Sequence, residues 1–263
     1  LSSYLGLHID GSLRAVAGGA GAAGGSLDIA LESPLYDSTG LDRAQDAALA
    51  PREISVSQHH EATLPDDLAP GQASEGLRYG KTRLSADRFG AGGFDNLALL
   101  ANGQLSFDGD VALRMGQSLK LFASSLSLAE GSSASAHVQL AAPYVTLSGT
   151  GKYYESNGML RPRALHGITT LDSEAVLSVH AGQLLDLGNS ISIGTKGAYA
   201  ERTEFAPVHV ERRGFQTVEL ASDGDMRFLR PTDNEPRSRF WTPGDLTLAA
   251  AQLFALTTVR ADG

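Results

Sequence analysis

Gly93-Phe94-Asp95-Asn96-Leu97-Ala98-Leu99-Leu100-Ala101-Asn102-Gly103-Gln104-Leu105-Ser106-Phe107 returns later in the chain as Gly214-Phe215-Gln216-Thr217-Val218-Glu219-Leu220-Ala221-Ser222-Asp223-Gly224-Asp225-Met226-Arg227-Phe228. Gly, Phe, Leu, Gly and Phe fall at matching places, and Leu97/Val218, Asn102/Asp223 and Leu105/Met226 are like for like. Each copy reads as a strand, an Asx-Gly turn and a second strand. Recurring sequence with apolar alternation and turn punctuation is the signature of a repeat architecture. It predicts a structural array rather than a site of chemistry.

The same rhythm runs outward from both copies. Leu119/Leu121, Leu126/Leu128, Val138/Leu140, Val145/Leu147, Val176 to Val179, Leu184 to Leu187, Ile191/Ile193 and Leu246/Leu248 are apolar residues at period two. That period makes strands with one buried face. Such short strands, closely spaced and separated by small turn residues, match neither long hairpins nor βαβ units. A sandwich would show Asn-Gly hairpins between longer strands, and a propeller would repeat about every 40 to 50 residues. Two or three strands with their turns make a unit of about 20 to 25 residues, the length of one coil of a parallel β-helix. About eight to ten such coils would stack at about 4.8 Å into a rod of roughly 40 to 50 Å.

The expected organisation is one continuous solenoid. Residues 1–33 form coils, 34–82 a Pro-rich loop insertion with one clear alternation at Glu53 to Ser57, and 83–263 further coils. A second break, rich in Tyr, Gly and Arg-Pro-Arg, spans 149–167. Composition agrees: 42% of residues are hydrophobic and only 19% charged, and 30 of the 263 are Gly. Gly is costly in long helices and useful in tight turns. There is no cysteine, which excludes disulfides and zinc-thiolate sites. The net charge of −9 argues against nucleic acid. Arg212, Arg213, Arg227, Arg230, Arg237 and Arg239 are interleaved with acids and read as a solvated mixed-charge face. No apolar run reaches the roughly 18 residues of a membrane span. The start, Leu1-Ser2-Ser3-Tyr4, lacks an initiator Met and a leader pattern, so an internal piece or processed product is expected.

Candidate chemistry is thin. Asp108-Gly109-Asp110 and Asp223-Gly224-Asp225 look like paired carboxylates, but Asp favours turns by bonding its own backbone, and the turn reading is preferred. His59-His60-Glu61 is the only His/acid cluster; adjacent side chains diverge on a strand, and no His-Glu-x-x-His spacing is present. No nucleophile elbow, phosphate loop or dinucleotide fingerprint occurs, and no calcium nonapeptide array. The expectation is therefore no catalytic, metal or cofactor-binding residue. Among aromatics away from the core strands, Tyr153, Tyr154 and Trp241 are the candidates for partner contact, since amphipathic rings anchor partners and sugar faces.

The chain resembles the repeat region of filamentous haemagglutinin-like exoproteins of two-partner secretion systems. The resemblance is carried by Gly92-Gly93-Phe94 with its strand–turn–strand, by Phe107-Asp108-Gly109-Asp110-Val111-Ala112-Leu113 and by Val138 through Leu147. Gly214-Phe215 through Leu229, Gly244-Asp245-Leu246-Thr247-Leu248-Ala249-Ala250-Ala251-Gln252, and Ala50-Pro51-Arg52-Glu53-Ile54 followed by Leu64-Pro65 carry it further. It implies a right-handed parallel β-helix, exported through an outer-membrane secretion partner to the bacterial surface or medium. It also implies a shaft for adhesion or toxin presentation, touching a host or neighbouring-cell receptor or glycan. The alternative is a β-helical polysaccharide lyase or glycoside hydrolase acting on acidic glycans, which requires acids and an Arg or Lys converging on one face.

Overall fold

The computed structural model describes residues 1–3, 6–31, 52–60, 69, 80–149, 168–189, 191–194, 202–203, 206–207, 210–229 and 238–256. In chain order the strands are β1 (Ser2–Ser3), β2 (Gly25–Leu31), β3 (Arg52–Ser57), β4 (Lys81–Ser85), β5 (Phe94–Asp108), β6 (Val111–Arg114), β7 (Ser118–Leu128) and β8 (His137–Ser148). They continue as β9 (Ile168–Leu171), β10 (Val176–Gly188), β11 (Ile191–Ile193), β12 (Arg202–Thr203), β13 (Ala206–Pro207) and β14 (Val210–Arg213). The last are β15 (Thr217–Ser222), β16 (Asp225–Phe228), β17 (Phe240–Trp241), β18 (Asp245–Ala249) and β19 (Gln252–Ala255). One short helix, α1 (Ala86–Ala91), lies between β4 and β5. The protein is all-β, and fifteen of its strands belong to one large sheet in which every pairing is parallel.

The register divides that sheet into three ladders of stacked strands. In ladder I one core column runs Leu27–Leu97–Leu119–Val145–Leu185–Met226–Leu253. In ladder II a column runs Thr82–Ile54–Leu105–Leu126–Ile193. In ladder III it runs Val111–Val138–Leu177–Val218–Leu246. Long strands turn a corner from one ladder to the next at a register shift, between Ala101 and Gln104 in β5 and between Ala181 and Leu184 in β10. From β5 to β8 the strands visit the ladders in the order I, II, III, I, II, III, I. β9 then lies outside the main sheet, so β10 re-enters at ladder III and runs on to I, and β11 lies in II. β12 to β14 lie outside the sheet, and β15 to β19 run III, I, II, III, I.

Period two does the rest. Leu97, Leu99, Leu105, Phe107, Leu119, Leu121, Leu126 and Leu128 are all buried, while residues between them on ladder I, such as Lys120, face water. Like side chains stacked at the strand spacing of about 4.8 Å leave no lateral gap, so each column is a continuous apolar stripe. At the last step Leu246, Leu248 and Leu253 continue buried columns yet are exposed.

The repeated phrase encodes a corner. In its first copy the strand before the turn lies in ladder I and the one after it in ladder II. In its second copy β15 lies in ladder III and β16 in ladder I. The phrase is thus reused at two different corners and does not mark whole turns of the chain. Its shared glycine is explained by close approach. A Cβ on Gly103, whose φ is +152°, would sit 2.6 Å from the Arg52 carbonyl oxygen, and one on Gly224 would strike the carbonyl of Gln183.

Two features depart from the expected layout. Within the 34–82 stretch, Arg52–Ser57 is a strand of the main sheet, between β4 and β5, and Ile54 and Val56 are fully buried. Helix α1 occupies part of the stretch where strands were expected from residue 83. Its start carries Asp87 in the first turn, its Phe89 is buried, and the Asp87 amide donates to the Gln58 carbonyl at 3.1 Å.

Leu126→Ala, in the middle of ladder II, is expected to cost about 3 kcal/mol, whereas Lys120→Ala on an outer face costs under about 0.5 kcal/mol. Gly103→Ala is expected to cost about 2 kcal/mol through its strained φ and blocked Cβ. Guanidinium titrations of the three variants measure these losses, and equal midpoints would refute the assigned faces.

Candidate functional site

The outer face of ladder II is where polar chemistry collects. Alternation places Lys81 and Arg83 of β4 and Glu53 and Ser55 of β3 on that face, followed by Gln104 and Ser106 of β5 and Ser125 and Ser127 of β7. On an open sheet these would be solvated, yet Gln104, Ser106, Ser125 and Ser127 are almost completely buried. Strand β14, which pairs with β9 outside the main sheet, touches β7 and reaches over this face. Its Arg212 is only 5% exposed.

Glu53 is the centre of the arrangement. Arg212 Nη1 and Nη2 donate to Glu53 Oε1 and Oε2 at 3.2 and 3.1 Å, Ser106 Oγ donates to Oε1 at 2.7 Å, and Lys81 Nζ lies 3.5 Å from Oε2. Burial pushes the Glu53 carboxyl up, but the charges of Arg212 and Lys81 and the bonds from Ser106 and Arg212 outweigh it. The group is held below its ordinary value of about 4.5. Arg212 is therefore not part of a solvated mixed-charge face. It is half of a buried ion pair whose partner lies 159 residues away, a separation that local reading does not reach.

Beyond the ion pair the face opens into a cleft of about 670 Å³. Its walls include His8, Asp10, His60, Arg83, Asp108 and Glu130, with Glu53, Lys81, Thr82 and Arg212 also lining it. Two buried atoms of these residues, Thr82 Oγ1 and Arg212 Nε, have no hydrogen-bond partner among the described residues. The His60 imidazole is held below its ordinary value, first by burial, then by Arg83, with Arg88 and His59 adding to the effect and Asp10 opposing it. Among the described residues no Phe, Tyr or Trp lines the cleft.

The residues singled out from sequence fall in several places. Trp241 sits half-buried in β17, paired with β11, with a ring carbon 3.4 Å from where a Cβ on Gly194 would lie. It packs the end of ladder II and does not line the cleft. Tyr153 and Tyr154 lie outside the described residues. Asp110 Oδ1 accepts from the His137 amide at 2.8 Å, and Asp223 Oδ1 lies 3.0 Å from His180 Nε2. Both Asp-Gly-Asp triplets thus sit at turns, although Asp108 also lines the cleft. His59 Nδ1 is 3.8 Å from Asp87, and His60 turns into the cleft. Among the described residues no group of three or more His, Cys, Asp or Glu is placed to hold a metal ion. No helix of the described residues is long and apolar enough to cross a membrane.

A second exposed polar stretch lies on ladder I. There Arg227 binds Asp186 through two bonds of 2.7 Å, and Tyr144 stands 47% exposed beside Lys120, Thr146 and Leu184 in a shallow groove of about 320 Å³. Comparison of the chain with protein-family models, with curated proteins and with solved structures finds no match.

Glu53→Gln leaves Arg212 buried without its counter-charge and is expected to cost about 3 kcal/mol at pH 7. Because the folded-state value of Glu53 is lowered, its contribution is complete above about pH 4.5 and fades as pH falls through the folded value. The stability gap between wild type and variant therefore narrows in acid. A gap that stays constant from pH 7 to pH 3 would contradict the pairing.

Proposed function

We propose that the chain is a right-handed parallel β-helix and a structural shaft segment of a secreted bacterial surface exoprotein of the filamentous haemagglutinin kind. It acts without catalysis, and its parent is exported through an outer-membrane partner. The observation that carries this reading is the set of three all-parallel ladders, revisited in turn by successive strands and stacked in register over most of the described chain. A chain that keeps turning the same way while adding strands at about 4.8 Å grows along one axis, and its stability is a sum of neighbour terms rather than of one closed core. Such a body suits a spacer that holds something away from a cell. The order of motifs shared with the exoprotein repeat region supplies the rest.

A second reading, a polysaccharide lyase or glycoside hydrolase for acidic glycans, is favoured by one observation. Asp10, Glu53, Asp108 and Glu130 converge with Lys81, Arg83 and Arg212 in the cleft. The chemistry weighs against it. A general acid or base near neutral pH needs a carboxyl pushed up, whereas Glu53 is pushed down and already occupied by Arg212.

The two readings separate by export and by turnover. Removing the cognate outer-membrane transporter from the producing cell is expected to abolish surface display of the parent protein; undiminished display would defeat the export reading. Incubation with polygalacturonate is expected to release no unsaturated or reducing ends. Steady turnover that is lost in Glu53→Gln would establish the enzyme instead.

A further inference from the structure

The cleft on ladder II has a polarity that the shaft reading does not use. Arg83 and His60 stand at one side, and neither makes an ion pair with a carboxylate among the described residues. Lys81 is drawn toward Glu53, and the Glu53 carboxylate is spent on Arg212, Lys81 and Ser106. The β4 side thus presents the Arg83 guanidinium and the His60 ring, with Asp10 beside them. At the other side, Asp108 ends β5 and Glu130 follows β7.

Register fixes the separation. β4 pairs with β3, β3 with β5 and β5 with β7. The acid wall lies two to three strand steps from Arg83 and two to three residues further along the strands, about 12 to 17 Å away. An inorganic anion would use only the cationic end, and an amino acid, whose charges are close together, would not span the gap. The floor between offers the Ser55 hydroxyl, with Arg212 along it. A volume of about 670 Å³ is in the range of small-molecule sites.

The geometry points to a binding site for a short acidic sugar, of disaccharide size, in the cleft between β4 and the turns after β5 and β7. Its carboxylate lies against Arg83 and His60, and its distal hydroxyl groups donate to Asp108 and Glu130. Recognition by the described lining residues rests on charge and hydrogen bonds, which makes it salt-sensitive. This inference goes beyond the shaft reading and does not depend on it, since a shaft exported or not would carry the same cleft.

Calorimetric titration of the whole chain with digalacturonate tests it. Saturable binding in the ~0.1–1 mM range is expected. Arg83→Gln, an exposed position, is expected to weaken binding at least tenfold with an unchanged melting temperature. Lys120→Gln, on the outer face of ladder I, leaves binding as it was. A neutral disaccharide and inorganic phosphate are expected to bind at least tenfold more weakly. Absence of saturable digalacturonate binding would overturn the assignment. Equal affinity for phosphate or the neutral sugar, or unchanged affinity in a folded Arg83→Gln variant, would overturn it too.

Discussion

Every backbone amide of a parallel strand needs a carbonyl on the strand beneath it, and buried strands leave no water to substitute. That requirement governs this molecule. Once Leu97 stands over Leu119 and Leu119 over Val145, hydrogen-bond register alone brings the next side chains into columns. A slip of one residue would turn a whole apolar column outward. The corners are held by the same demand, which is why Gly103 and Gly224 meet carbonyls of neighbouring strands where a side chain would stand. The columns and the corner glycines are two expressions of one constraint.

The polar face of ladder II shows what happens when a second layer is laid over such a sheet. Serines and a glutamine that alternation sends outward become buried beneath β14, and a carboxylate among them must find charge. Arg212 and Lys81 supply it, at the desolvation cost that any buried ion pair carries. Where the cover ends the same face opens into the charged cleft. The ladders fix the cleft residues that lie on strands, Glu53, Ser55, Lys81, Arg83 and Asp108, while His8, Asp10, His60 and Glu130 come from the connections around them.

Much of the fold can be read from period-two spacing. The strands at 94–107, 111–114, 118–128, 137–148, 176–188 and 217–228 follow from it directly, and units of about 20 to 25 residues, the length of one solenoid coil, pointed to parallel stacking. What escaped was long-range. Arg52–Ser57 is surrounded by proline-rich sequence and looks local, yet it fills a gap between β4 and β5 that only the stacked neighbours define. Arg212 reads as one of several surface arginines until Glu53 is brought beneath it. The repeated Gly-Phe phrase suggested whole repeating turns; its two copies instead bridge different pairs of ladders, since the corner chemistry is the same wherever a strand bends. The cleft was invisible because its residues come from six separate stretches between His8 and Arg212, and the two that sequence patterns had flagged, His60 and Asp108, carried no sign that they meet.

The register of ladder III can be measured across a long stretch of sequence. Ala112, Gln139, Ser178, Glu219 and Thr247 form one outward column, and the cysteine-free chain accepts labels cleanly at Ala112→Cys and Thr247→Cys. Pulsed electron–electron resonance between spin labels at these two sites should give one narrow distance population near 19 Å plus the label arms, the length of four strand steps. A broad distribution, or a population centred beyond about 35 Å, would contradict in-register parallel stacking and with it the rest of the architecture described above.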